Sequence, residues 1–189
     1  MRHCGNPRLR FCRFGPLFVL LSFFCLVPRP ATGQDLAFGL GTWDLAQAAP
    51  GAFVDISATF GIGKRLEFGV AAIPRITPSP LEELYLESHL GVSLLGDRLG
   101  EVGLPGIYVN AILDFGGALK IEGIGSAFPA TAFLWFGRLT PFALGNPYYG
   151  RRDRFFSAAI LFDPRSKNIG FSFSLLKFDF YLIKPTQGR

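Results

Sequence analysis

Ala52–Pro74 reads AFVDISATFGIGKRLEFGVAAIP. From 52 to 62 the even positions are Ala52, Val54, Ile56, Ala58, Phe60 and Ile62, and the odd ones are Phe53, Asp55, Ser57, Thr59 and Gly61. This period of two is the signature of a β-strand with unlike faces. After Gly63-Lys64-Arg65 the even positions are again apolar, Leu66, Phe68, Val70 and Ala72, with Glu67, Gly69 and Ala71 between them. A three-residue loop pairs Ile62 with Leu66 and Phe60 with Phe68, which places both apolar rows on one face of a hairpin. The first arm is as long as the roughly 9–11-residue tilted strand that crosses a bilayer.

The pattern recurs along the chain. Strand one, Asp35–Asp44, sets Leu36, Phe38 and Leu40 against Ala37, Gly39, Gly41 and Trp43. The proline-rich stretch 74–80 is a connection. Ser79-Pro80-Leu81-Glu82 resembles a helix start, but the alternation from Glu83 to Leu94 favours strand four, with only Ser88 out of pattern. Strand five carries Tyr108, Asn110, Ile112 and Asp114 on one side and Ile107, Val109, Ala111, Leu113 and Phe115 on the other. The glycine-rich segment 116–126 reads as a connection, and ten strands result if Ala118–Ile121 forms one of its own. Strand six, Ala127–Gly137, is apolar on both faces, and residues 138–153 read as a long loop holding a basic cluster. Strand seven spans Arg154–Asp163. Strand eight switches face at Leu175-Leu176, as a bulge would make it do.

Across these strands Asp55, Glu67, Glu87, His89, Asp114, Lys177 and Asp179 share the row opposite the apolar one. A charge facing mid-bilayer lipid costs ~2–4 kcal/mol, so lipid would impose this exclusion. A soluble barrel inverts the arrangement, with apolar residues inward. The expected fold is an all-β, antiparallel, up-and-down transmembrane barrel of about eight strands spanning 34–183, with a short tail at 184–189. The seven row-mates are then a polar network in the lumen.

The first 33 residues have the three regions of a secretory signal peptide: Arg2, Arg8, Arg10 and Arg13, an uncharged run from Gly15 to Val27, and small residues before Gln34. That run is shorter than the ~20 residues a spanning helix needs. Five of the 19 basic residues and none of the 14 acidic ones lie there, so the remainder is formally neutral. No basic excess is left for nucleic acid. Cys4, Cys12 and Cys25 all fall in the same segment, and His89 is the one histidine after it. A clustered zinc site is thereby excluded, as is a Cys-based mechanism, and no metal-binding residues are expected. Gly39-Leu40-Gly41 and Gly61-Ile62-Gly63 precede no helix and are not nucleotide loops, so no cofactor is expected.

The signal-like start, the alternating strands, the glycine-rich turns and the aromatics Trp43, Tyr85 and Trp135 near strand ends resemble the small eight-stranded outer-membrane barrels of the OmpW, OmpX and OmpA-transmembrane type. The resemblance implies outer-membrane location, lipid as surroundings, handling by periplasmic chaperones and the barrel assembly machinery, and a structural or surface role. For the OmpW type it also implies passage of small hydrophobic molecules. The C-terminus departs from that pattern, because Phe180-Tyr181 is followed by LIKPTQGR. A soluble periplasmic barrel holding an apolar ligand is the alternative. A lipid-modifying hydrolase is the third, resting on Glu87, His89 and Ser93, which share a strand face as any residues at such spacing would. Arg151-Arg152-Asp153-Arg154 reads as a solvated loop able to meet anionic head groups. The inward row offers five acids and only Lys177 against them, so arginines are expected to be recruited, with Arg65, Arg138 and Arg154 the nearest in sequence.

Overall fold

The structure, a computed structural model, describes residues 35–45, 52–63, 65–77, 79–95, 108–124, 126, 129–146 and 150–183. The signal-like segment 1–33, the tail 184–189 and the turn at 96–106 lie outside the described residues. The described chain forms β1 (Leu36–Leu45), β2 (Ala52–Ile62), β3 (Leu66–Pro74), β4 (Glu83–Ser93), β5 (Tyr108–Glu122), β6 (Ala130–Asn146), β7 (Arg151–Phe162) and β8 (Ile169–Ile183). Each strand pairs antiparallel with the next, and β1 pairs with β8, closing the barrel. Closure removes every free edge, the condition for a sheet to lie in lipid.

The hairpin of β2 and β3 forms in the expected register, with Ile62 opposite Leu66 and Phe60 opposite Phe68. Gly63 takes the left-handed φ of 63° that its three-residue loop demands. Inward positions of β2 and β3 are buried, and their apolar rows face out. The contested segment is β4, in which alternation over eleven residues prevails over the helix-like start.

Three boundaries differ from the sequence reading. β5 continues unbroken through Gly116-Gly117 to Glu122, so 116–122 is strand and the ten-strand count falls. β6 runs on to Asn146 and β7 begins at Arg151, so most of the expected loop at 138–153 is wall. The reason is a change of facing that hides the alternation. In β6 the buried positions pass from Arg138 and Thr140 to Ala143; in β7 from Arg152 and Arg154 to Ser157, Ala159 and Leu161; in β8 from Ser172 to Lys177, Asp179 and Tyr181. Pro141 stands at the switch in β6, Phe156 at a φ of 55° in β7, and Leu175-Leu176 in β8. The β6–β7 and β7–β8 registers stay in step through the switch. The displaced residue is absorbed at the borders, between Asn110 and Ile112 of β5 and between Gly41 and Asp44 of β1. There Leu175 N–H donates to Thr42 Oγ1 at 3.3 Å instead of to backbone.

The outer surface is apolar. Phe38, Leu40, Leu90, Phe115, Phe133, Leu139, Phe142, Ile160, Phe171 and Phe173 all stand exposed on it. In β6, whose sequence is apolar on both faces and leaves the facing open, Trp135 is 55% exposed and Phe136 takes the inward place. Trp43 and Tyr85, which stand on the row opposite the apolar one, point inward and are buried, as that row implies.

Candidate functional site

The lumen divides into two parts. At the end farthest from Leu36 and Ile183, Trp43, Phe53, Ile73, Tyr85, Ala118, Phe136 and Leu161 form an apolar plug. The rings of Trp43, Phe53 and Tyr85 meet edge-on at centroid separations of 4.8–5.8 Å. A charged rim covers this plug: Tyr85 Oη donates to Glu83 at 2.6 Å, Lys120 approaches Glu83 at 3.0 Å, and Arg75 lies 3.6 Å from Glu83.

The other part is ionic. Asp55, Glu67, Glu87, His89, Asp114, Lys177 and Asp179 are all buried inside the barrel, as their shared row predicts. The arginines that join them come from the stretch read as loop. Arg152 donates to Glu67 Oε2 at 2.7 Å and to Asp179 Oδ2 at 2.9 Å. Arg154 donates to Glu67 Oε1 at 2.6 Å and to Asp179 Oδ2 at 2.8 Å, and lies 3.6 Å from Asp114. Each guanidinium thus clamps the same two carboxylates, the geometry in which arginine's rigid fork is most effective. Arg138 donates to Glu87 Oε2, whose other oxygen lies 3.0 Å from His89 Nδ1. Lys177 donates to Asp55 at 3.0 Å. Buried charges need partners of this quality, since an isolated one is far costlier than a paired one.

The basic cluster at 151–154 is therefore corrected. Strand alternation splits it, with Arg151 and Asp153 paired at 2.7 Å away from the lumen and Arg152 and Arg154 inside. Of the three recruits named from sequence, Arg138 and Arg154 join the network, Arg65 is exposed at a turn, and Arg152 was missed. The signal that would have found it was the alternation of 151–154, masked by the switch at Phe156.

Glycines make room for these side chains. A methyl group at Gly69 would collide with the His89 imidazole, and one at Gly91 would stand 2.6 Å from Asp114 Oδ1 and 2.7 Å from Glu67 Cγ. Glu67, His89 and Asp114 consequently converge, each offering a ligand atom within 4.8 Å of the others. Ser93 is buried on the same strand face as Glu87 and His89, and no hydrogen bond joins it to either among the described contacts. Such an interior can hold charges rigidly and exclude bulk solvent. Among the described residues, its charged side chains stand across the lumen beside the apolar plug.

No protein-family model matches the sequence, and no curated protein is significantly similar to it. Among solved structures, the fold is similar to the crystal structure of the N-terminal β-barrel domain of Pseudomonas aeruginosa OprF, with a TM-score of 0.54 and 10% sequence identity, over 81% of this chain and 100% of that chain. The chain is a closed, eight-stranded, antiparallel up-and-down barrel of the architecture that the OprF domain has.

Proposed function

We propose that the chain is an outer-membrane barrel with a structural or surface role, closed to ions and solutes, and that it is not an enzyme. The observation that carries this reading is the inversion of polarity: ionised side chains fill the inside while phenylalanine and leucine cover the outside. Water around such an exterior would make it an aggregation hazard, and lipid makes it stable. The soluble, ligand-binding alternative requires the reverse facing. The fold likeness to the OprF domain supports the membrane reading at the level of architecture. A hydrolytic role for Glu87, His89 and Ser93 is disfavoured by their burial and by Arg138, which already holds Glu87. Carriage of small hydrophobic molecules through the lumen is disfavoured by the charged half of it, so any such passage would follow the outer wall. Outer-membrane lipid, periplasmic chaperones and the barrel assembly machinery are the partners this role entails; nucleic acid and cofactors have no part in it.

Cell fractionation tests the proposal. The mature protein is expected in the outer-membrane fraction, extractable only with detergent, beginning within a few residues of Gly33 by mass spectrometry and migrating differently before and after boiling. Recovery in the soluble periplasmic fraction would overturn it.

A further inference from the structure

Inside the barrel the charges do not balance. Among the described residues the ionic half of the lumen buries five carboxylates, Asp55, Glu67, Glu87, Asp114 and Asp179, against four permanent cations, Arg138, Arg152, Arg154 and Lys177; Glu83 belongs to the rim, with Lys120 and Arg75. In a low-dielectric interior an unmatched charge is unfavourable by several kcal/mol, so more positive charge is called for. The place where it is missing can be identified. Asp114 is fully buried, neither of its oxygens accepts a hydrogen bond, and its nearest cation is Arg154 at 3.6 Å. His89 is 2% exposed, and its Nε2 also lacks a hydrogen-bond partner.

From this we propose that Glu67, His89 and Asp114 form a buried site for one divalent first-row transition-metal ion, of which zinc is the type. An imidazole with two carboxylates is a donor set such ions accept, leaving a fourth position for a hydroxide, which with the ion adds the one positive charge the interior lacks. Ligand atoms sharing a tetrahedral ion at ~2.1 Å stand ~3.4 Å apart, so a set lying within 4.8 Å closes around it by up to ~1.4 Å. The Glu87 carboxylate stands 3.0 Å from His89 Nδ1, where a small rotation of the ring aligns it as the outer partner that metal-bound histidines use and leaves the Nε2 lone pair for the ion. Glu67 is the weakest of the three ligands, because each of its oxygens already accepts from an arginine and keeps one acceptor direction. Asp114 and His89 are the principal ones. The sequence reading excludes a clustered zinc site for want of a second histidine and of cysteine; the convergence of Glu67 and Asp114 on His89, which strand pairing creates, supplies carboxylates in their place. Because the site is enclosed, the ion enters while the barrel closes.

The test is to fold the full chain into detergent micelles with zinc and, separately, with cobalt, then to wash with chelator. About one equivalent of zinc per chain is expected by elemental analysis, and a visible cobalt band of the strength of a low-coordinate site. His89→Gln and Asp114→Asn, run on chain that still shows the folded electrophoretic mobility, are expected to retain less than a tenth as much. Ser166→Ala, in a turn outside the barrel, is expected to retain it all. Should the two variants not fold, the wild-type cobalt band and the difference in the His89 Nε2 resonance between chain folded with zinc and chain folded without it decide alone. Equal retention in wild type and His89→Gln, or a His89 ring carrying protons on both nitrogens whether or not zinc was present during folding, overturns the proposal; the second result assigns the missing positive charge to a proton.

Discussion

Arg152 Nη1 lies 2.7 Å from Glu67 Oε2, joining β7 to β3 across the interior, between strands that share no backbone pairing. Arg154 reaches the other oxygen of the same carboxylate. Judged by facing alone, Glu67→Gln ought to be harmless, since it keeps a polar group inside. The structure reverses that expectation: the substitution leaves two buried guanidiniums short of a partner. Removing one member of a buried pair costs ~3–5 kcal/mol. Glu67→Gln and Arg154→Ala are expected to lower the urea midpoint by an amount in that range.

The outer rows give the converse result. Val70→Asp and Leu90→Asp place a carboxylate on the apolar exterior, at ~2–4 kcal/mol each near the bilayer midplane. Loss of the folded, heat-modifiable band is expected for both in vesicle insertion assays. Ser93→Ala, whose hydroxyl is inside, is expected to insert like the wild type.

Planar bilayers containing purified monomer should show no large, steady, ohmic steps. Eight strands enclose an interior just wide enough for side chains, and here those side chains comprise an ionic half and an aromatic plug. Stable single-channel conductance would contradict the closed lumen.

The plug itself should be a main source of stability. Trp43 and Phe53 are each about 97–98% buried and meet edge-on at 5.6 Å. Large-to-small changes at such positions cost ~3–5 kcal/mol. Phe53→Ala is expected to fall in that range by denaturant titration, with a red shift of Trp43 emission as water reaches the indole.

Outside the barrel wall, the β7–β8 turn responds to pH. The Ser166 hydroxyl, 2.6 Å from Asp163 Oδ2, and the Arg165 N–H hold the Asp163 carboxyl below its ordinary range. A value lower in the folded state than in the unfolded one means stability present at neutral pH and lost as pH falls through the depressed value. In NMR titrations Ser166→Ala is expected to move the Asp163 midpoint upward.

How much of this was legible in the sequence depended on phase. Where alternation ran uninterrupted, as from Ala52 to Ala72, both the register and the facing of every side chain followed from period two alone. Between Arg138 and Ser157 the same rule held locally, but Pro141 and Phe156 each reversed its sign, and residues 138–153 read as a loop with a solvated basic cluster. The ionic network was half visible for the same reason. Its carboxylates lay in regular segments, and Arg152 and Arg154 did not. The convergence of Glu67, His89 and Asp114 comes from pairing across three strands, with Glu67 opposite Gly91 and Gly91 opposite Asp114, which no single strand's pattern contains.

The coordinated change of face in β6, β7 and β8 bears on how this wall tolerates a change of length. Deleting Pro141 alone would restore strict alternation to β6, keeping Phe142 and Leu144 outside and Ala143 inside, and would move the irregular border from β5–β6 to β6–β7, where Phe156 would become the surplus residue. Deleting one residue at the switch in all three strands would keep them in step with one another, and the shifts between Asn110 and Ile112 of β5 and between Gly41 and Asp44 of β1 would both disappear. Three neighbouring strands thus share one unit of surplus chain, and removing it from one of them only moves the border at which the wall is out of step.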